Sequence, residues 1–137
     1  YTNYNSDKGK ALLENPHTCL SFFWPALQQQ IIIKGLAEKV DAQTSDEYFA
    51  SRPRESQLGA WVSPQSDEIS EFHDFENEFN FYQKKFEGNA IPRPEHWGGF
   101  LVRPIEIEFW QGRPSRLHDR MLYKLNGSEW TKHRLAP

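Results

Sequence analysis

The residues richest in chemistry lie in the stretch FWQGRPSRLHDRMLYKL, residues 109–125. It reads as a hairpin whose turn region contains Gly112, Pro114 and Ser115. Arg116, His118 and Arg120 fall at i, i+2 and i+4 on the second arm. If residues 116–125 form a strand, the three side chains share one face at about 6.6 Å per two residues. Leu117, Met121, Tyr123 and Leu125 then point the other way, toward a core. Like charges repel, so two guanidiniums and an imidazole just after Trp110 suggest an anionic or ring-shaped ligand. Guanidinium forks onto phosphates and stacks on flat rings. Histidine donates or accepts a proton near neutral pH. The competing reading is a solvated outer face with Asp119 paired to a neighbour.

A second constellation is YFASRPRES, residues 48–56. Tyr48 and Arg52 stand at i, i+4 and share a helix face. Ser56 follows just past Pro53, near the start of the next helical piece. Two hydroxyls, a guanidinium and free backbone N–H groups make a phosphate-sized cradle. The alternative is an amphipathic helix with Tyr48 half-buried and Arg52 solvated. Gln65 and Ser66, in the polar turn WVSPQS, carry donors for a ligand. In NSDKGK, Ser6 or Asp7 caps a helix that carries Lys8 and Lys10. The five histidines are not spaced with Cys or with one another as a metal site requires, so no metal is expected. Glycine-rich nucleotide loops and the G-x-S-x-G elbow are also missing.

These residues need elements to hold them. Residues 18–24 (TCLSFFW) read as a buried strand and 29–40 as a second, with Gly35 marking a bulge. Residues 41–53 read as a short helix that stops before Pro53, and 55–63 as another. Residues 74–88 read as a helix with Phe72, Phe75, Phe79, Tyr82 and Phe86 as its apolar stripe and Gly88 as its stop. WGGFLVRPIEIEFWQG gives one or two strands interrupted by Pro104. Residues 116–125 and 129–135 are the last strands, joined at an NGS turn. Five or six strands with inserted helices predict a mainly β barrel or sandwich with peripheral helices.

Composition narrows the function. The chain has 137 residues, enough for one domain, and is 37% hydrophobic and 26% charged. Its 15% aromatic content suits a β-rich core and flat ring-binding pockets. A net charge of −3 gives no bulk field for nucleic acid, so no nucleic-acid partner is expected. No apolar run reaches the roughly 18 residues of a membrane helix, and no signal peptide is evident. The single cysteine, Cys19, rules out an intrachain disulfide and fits a reducing compartment, so a cytoplasmic location is expected.

Taken in order, YTN, SDK, YFASRPRESQLGAWVSPQS, WGGF, IEFWQG, RLHDR and the terminal RLAP resemble the pyridoxine/pyridoxamine 5′-phosphate oxidase family. The resemblance runs from Tyr1 to Pro137, and SRPRxSQ…GAWVSxQS and EFWQGxxxRLHDR are its most specific strings. It implies a split β-barrel flavoenzyme, a homodimer with FMN at the subunit interface. The implied reaction oxidises pyridoxine 5′-phosphate or pyridoxamine 5′-phosphate to pyridoxal 5′-phosphate, with O2 as acceptor and H2O2 as product. By resemblance Arg116 and His118 meet the substrate as catalytic residues, and Tyr48, Arg52 and Ser56 hold its phosphate. Tyr1, Thr2, Lys8, Gln30, Gln65, Ser66, Trp110 and Arg120 match flavin contacts. Asp7 and Gln29 stand where the family usually carries arginine, which removes positive charge near the flavin. The family also has upstream strands with an Arg…Leu-Leu-Lys segment, so the resemblance implies that the chain is an N-terminally truncated split-barrel domain. The alternative is a non-catalytic split-barrel protein that binds FMN or pyridoxal phosphate.

Overall fold

The computed structural model describes residues 1–137. In chain order the elements are β1 (Thr2–Asn3), α1 (Asp7–Glu14), β2 (His17–Trp24), β3 (Gln29–Lys39), α2 (Ala42–Ser51), α3 (Arg54–Val62), α4 (Phe75–Lys85), β4 (Trp97–Gly98), β5 (Phe100–Gln111), β6 (Asp119–Asn126) and β7 (Glu129–Leu135). Short polar side chains start the helices. Ser6 accepts from the Gly9 amide at α1, Asp41 from Thr44 at α2 and Asp74 from Asn77 at α4. The Asp41 carboxyl is held below the usual range, first by the Thr44 amide and then by the Thr44 hydroxyl. Asp7 occupies the first turn of α1, where a negative charge complements the helix dipole.

Two compact units emerge. The first comprises Tyr1–Asn15 and Lys39–Leu101, the second Pro16–Glu38 and Val102–Pro137. In the first, Phe49, Leu58, Phe86, Ile91 and Trp97 form the buried core, with Trp61, Phe79 and Tyr82 packed against it. Arg54 donates to the Phe86 and Asn89 carbonyls and so seals the end of α4. β1 pairs antiparallel with β4, Thr2 opposite Gly98 and Asn3 opposite Trp97. A Cβ at Gly98 would strike the Tyr4 hydroxyl, which explains why that position carries no side chain.

The second unit is a five-stranded sheet in the order β2-β3-β5-β6-β7. Its β5–β6 register sets Glu106 opposite Lys124, Glu108 opposite Leu122 and Trp110 opposite Arg120. One face is charged: Glu106 bridges Lys34 on β3 (3.1 Å) and Lys124 on β6 (3.4 Å). The Lys34 ammonium, by hydrogen bond, is the main cause holding the Glu106 carboxyl below its usual range. The other face is apolar, with Ile105, Ile107 and Phe109 on β5 and Met121, Tyr123 and Leu125 on β6. No helix is long and apolar enough to cross a membrane.

The mainly β expectation holds, and several local ones are corrected. β6 starts at Asp119, not residue 116; Pro114–Arg116 is a 3-10 turn. Ser115 and Arg116 both take φ of +60°, which ends extended geometry there. Arg116, His118 and Arg120 therefore do not line one strand face, and Leu117, at 67% exposure, does not point into a core. β2 has the expected span, but Phe22, Phe23 and Trp24 are exposed rather than buried. An apolar run carries no information about which surface covers it. The β2–β3 register runs unbroken past Gly35, and a Cβ there would meet the Arg103 carbonyl. β5 passes through Pro104 without interruption. α4 is shorter than expected, and Phe72 and Phe75 are exposed, so only Phe79, Tyr82 and Phe86 of the stripe reach the core.

Candidate active site

In the first unit the site is built at the α2–α3 corner. Arg52 follows the last residue of α2, where Pro53 forces the chain out of helical geometry. Gln57 on α3 locks the corner by donating to the Ala50 and Arg52 carbonyls. The Arg52 guanidinium then lies over the indole of Trp97, 4.6 Å from the ring centroid. Its Nη1 is buried and has no hydrogen-bond partner. Ser56 sits in the first turn of α3, whose cap position is Pro53 and receives no side-chain hydrogen bond. The free N–H groups and dipole of that helix end thus remain available to an anion. Tyr48, half-exposed on α2, stacks on Tyr1 with ring centroids 3.9 Å apart.

Also in this unit, Gln65 accepts from the Thr2 hydroxyl (3.3 Å) and the Asn3 amide (3.2 Å). The next residue, Ser66, has φ of +73° in a turn closed by the Asp67 amide on the Pro64 carbonyl. A non-glycine residue held there marks a constrained site. Lys8 is exposed on α1.

In the second unit, a cleft of about 280 Å³ is lined by Trp24, Gln30, Ile31, Phe109, Trp110 and Met121, with Gln29, Gln111 and Asp119 completing the wall. Its floor is apolar and aromatic, and its rim carries amides. Gln29 is tied there by its donation to Gln111 Oε1 at 2.8 Å. Gln30 donates to Ser21 at 3.0 Å. The Trp110 ring packs 4.8 Å from the His118 ring, at 44°. His118 Nδ1 accepts the Arg113 backbone N–H at 3.1 Å. That bond requires an unprotonated Nδ1 and leaves the proton on Nε2. Arg120 forks onto Glu108 at 2.7 and 3.1 Å and also donates to the Ala136 carbonyl. The Glu108 hydrogen bond raises the Arg120 guanidinium above its ordinary value.

The structure thus brings Tyr1, Tyr48 and Arg52 together around Trp97, and Thr2 to Gln65. Gln30 and Trp110 line one cleft, and the His118 ring packs tilted against Trp110. Arg120 is engaged by a carboxylate rather than free. Sequence reasoning missed Trp97, the platform under Arg52, and Glu108, the partner of Arg120. Glu108 was findable, since it stands directly before the Phe109–Trp110 pair on the charged side of an alternating strand.

Residues 1–85 match the family model described as pyridoxamine 5′-phosphate oxidase. Residues 97–137 match that of the pyridoxine 5′-phosphate oxidase C-terminal dimerisation region. The pyridoxine/pyridoxamine 5′-phosphate oxidase of a Synechocystis strain is 52% identical over the whole chain, and that of Polynucleobacter asymbioticus is 55% identical. The chain spans 64% of the length of each. PhzG from Burkholderia lata, solved with tetrahydrophenazine-1-carboxylic acid, superposes with a TM-score of 0.89 at 29% identity, covering 99% of this chain and 66% of that one. A pyridoxamine 5′-phosphate oxidase-related, FMN-binding protein from Nostoc punctiforme shares the fold, with a TM-score of 0.77 at 14% identity over 99% of this chain and 71% of its own. The chain has a split-barrel fold and belongs to the pyridoxamine 5′-phosphate oxidase family.

Proposed function

We propose that the protein is an FMN-dependent oxidase of phosphorylated B6 vitamers. It converts pyridoxine 5′-phosphate or pyridoxamine 5′-phosphate to pyridoxal 5′-phosphate, with O2 as acceptor and H2O2 as product, and works as a homodimer with FMN at the subunit interface. The observation that carries this reading is the buried, unpartnered Nη1 of Arg52 beside the uncapped start of α3. A cation held on an indole without a counter-ion is matched to a phosphate, which would accept from Arg52, from Ser56 and from Tyr48.

The residues present also fit a flavin. The aromatic cleft with its amide rim suits a flat, hydrogen-bonding ring, with Trp110 and Gln30 in its wall. Tyr1, Thr2, Lys8, Gln65, Ser66 and Arg120 are proposed as further contacts, Lys8 as the free cation among them. When bound, FMN supplies the two-electron acceptor that passes electrons to O2. The chain's own residues bind and orient. The phosphate clamp fixes one end of the substrate, which removes much of the entropic cost of alignment. His118, protonated at Nε2, donates a hydrogen bond to the substrate. The Arg116 guanidinium lies against the ring and steadies charge on it.

Arg52→Ala tests the reading. Losing one charge-assisted contact of about 1.5–3 kcal/mol should raise KM for pyridoxine 5′-phosphate roughly ten- to a hundredfold, with flavin content unchanged. Unphosphorylated pyridoxine should be a poor substrate of the parent and no worse for the variant. Flavin binding without any turnover of either vitamer would favour the non-catalytic binding protein.

A further inference from the structure

We propose that Arg113 is a positioning residue, closing a clasp with Asp119 that holds Arg116 and His118 in their working conformation. The inference rests on the reading of those two residues as substrate-facing.

The segment between the arms of this hairpin is strained. Ser115 and Arg116 are consecutive non-glycine residues at φ of +60°. Each costs energy relative to ordinary geometry, so the surrounding contacts must impose it. The Leu117 amide on the Pro114 carbonyl (3.2 Å) closes the inner turn. The outer ring is closed twice by Arg113. Its backbone N–H donates to His118 Nδ1, and its Nε donates to Asp119 Oδ2 at 2.7 Å. One residue thereby sets the tautomer of the imidazole and anchors both ends of the loop that presents Arg116. The charged groups facing Asp119 are Arg113 from the loop and Arg134 from β7, the latter at 3.5 Å. Arg113, by hydrogen bond, is the larger cause of the lowered Asp119 carboxyl. Because the Arg113–Asp119 pair is half-exposed, it adds little to global stability. Its consequence is local: without it the loop relaxes toward ordinary backbone conformations.

The test compares Arg113→Ala, Arg113→Lys and Arg134→Ala at saturating FMN. Nitrogen NMR of labelled histidine, with the His118 signals identified from a His118→Asn sample, reads the tautomer without any turnover. In the parent and in Arg134→Ala, His118 should be a single Nε2–H tautomer. In Arg113→Ala it should become a mixture, KM for pyridoxine 5′-phosphate should rise about fivefold, and flavin content and Tm should stay unchanged. Arg113→Lys should recover most of both effects. A pure Nε2–H tautomer in Arg113→Ala, with KM within about twofold of the parent, would overturn the proposal. Equal effects from Arg134→Ala would also overturn it, by showing a general charge effect. If the parent itself does not oxidise the vitamer, the oxidase reading fails, and the tautomer alone decides the clasp.

Discussion

Arg120 answers to two demands at once. Its fork is filled by Glu108, whose side chain is only 14% exposed, yet it is also a proposed flavin contact. Removing the guanidinium strands a mostly buried carboxylate, which costs about 1–3 kcal/mol before any effect on ligand binding. Arg120→Ala should therefore lower Tm and weaken FMN binding, and excess FMN should restore part of the activity. Arg116→Ala should keep its flavin and its Tm and lose catalytic efficiency, because Arg116 has no partner whose loss would destabilise the fold. Flavin titration and thermal melts of both variants measure this; equal flavin loss would show that the two arginines serve one ligand. The residue types were legible in the sequence, and their geometry was not. RLHDR looks like strand, because Ser115 and Arg116 carry none of the glycine signal that normally announces left-handed backbone.

At the scale of elements, helix starts were the most legible features, since a cap acts within three residues of its own position. Asp41 opens α2, the helix that carries Tyr48 and ends at Arg52. Asp41→Ala removes the side-chain cap from the Thr44 amide and should lower Tm. KM for the phosphorylated substrate should rise with it, since the cradle loses its support. Sheet pairings were less legible, because they join distant segments: nothing local ties Lys34 to Glu106. That carboxylate links β3, β5 and β6 through Lys34 and Lys124. Its folded-state value is lowered, so its contribution is complete above the ordinary glutamate range and is lost as pH falls through the lowered value. Glu106→Gln should cost less than about 1 kcal/mol near neutral pH and nothing in strong acid. Melting curves of parent and variant should thus converge on acidification; a gap that widens instead would contradict the ion-pair assignment.

For the whole molecule the question is what covers the apolar sheet face. Phe22 and Trp24 on β2, Phe109 on β5 and Trp130 on β7 are all between 41% and 46% exposed. Isolated exposed apolar residues are ordinary, but aromatic side chains spread over several strands of one sheet mark an interaction surface. Burial runs are readable from sequence as hydrophobicity, whereas the covering partner is not, which is why β2 was expected to be buried. Trp130 lies within residues 97–137, the segment matched by the dimerisation-region model. If the protein is a homodimer, Trp130→Glu should shift its sedimentation mass toward the monomer. Flavin affinity should fall in the same variant, because an FMN site at a subunit interface exists only in the dimer. FMN that binds the dimer and not the unfolded chain stabilises it by about 2.7 kcal/mol at a hundred times its Kd. The parent should therefore melt higher as either FMN or protein concentration rises, and the variant should lose both dependences together. Loss of the dimer with full flavin affinity retained would place the FMN site within a single subunit.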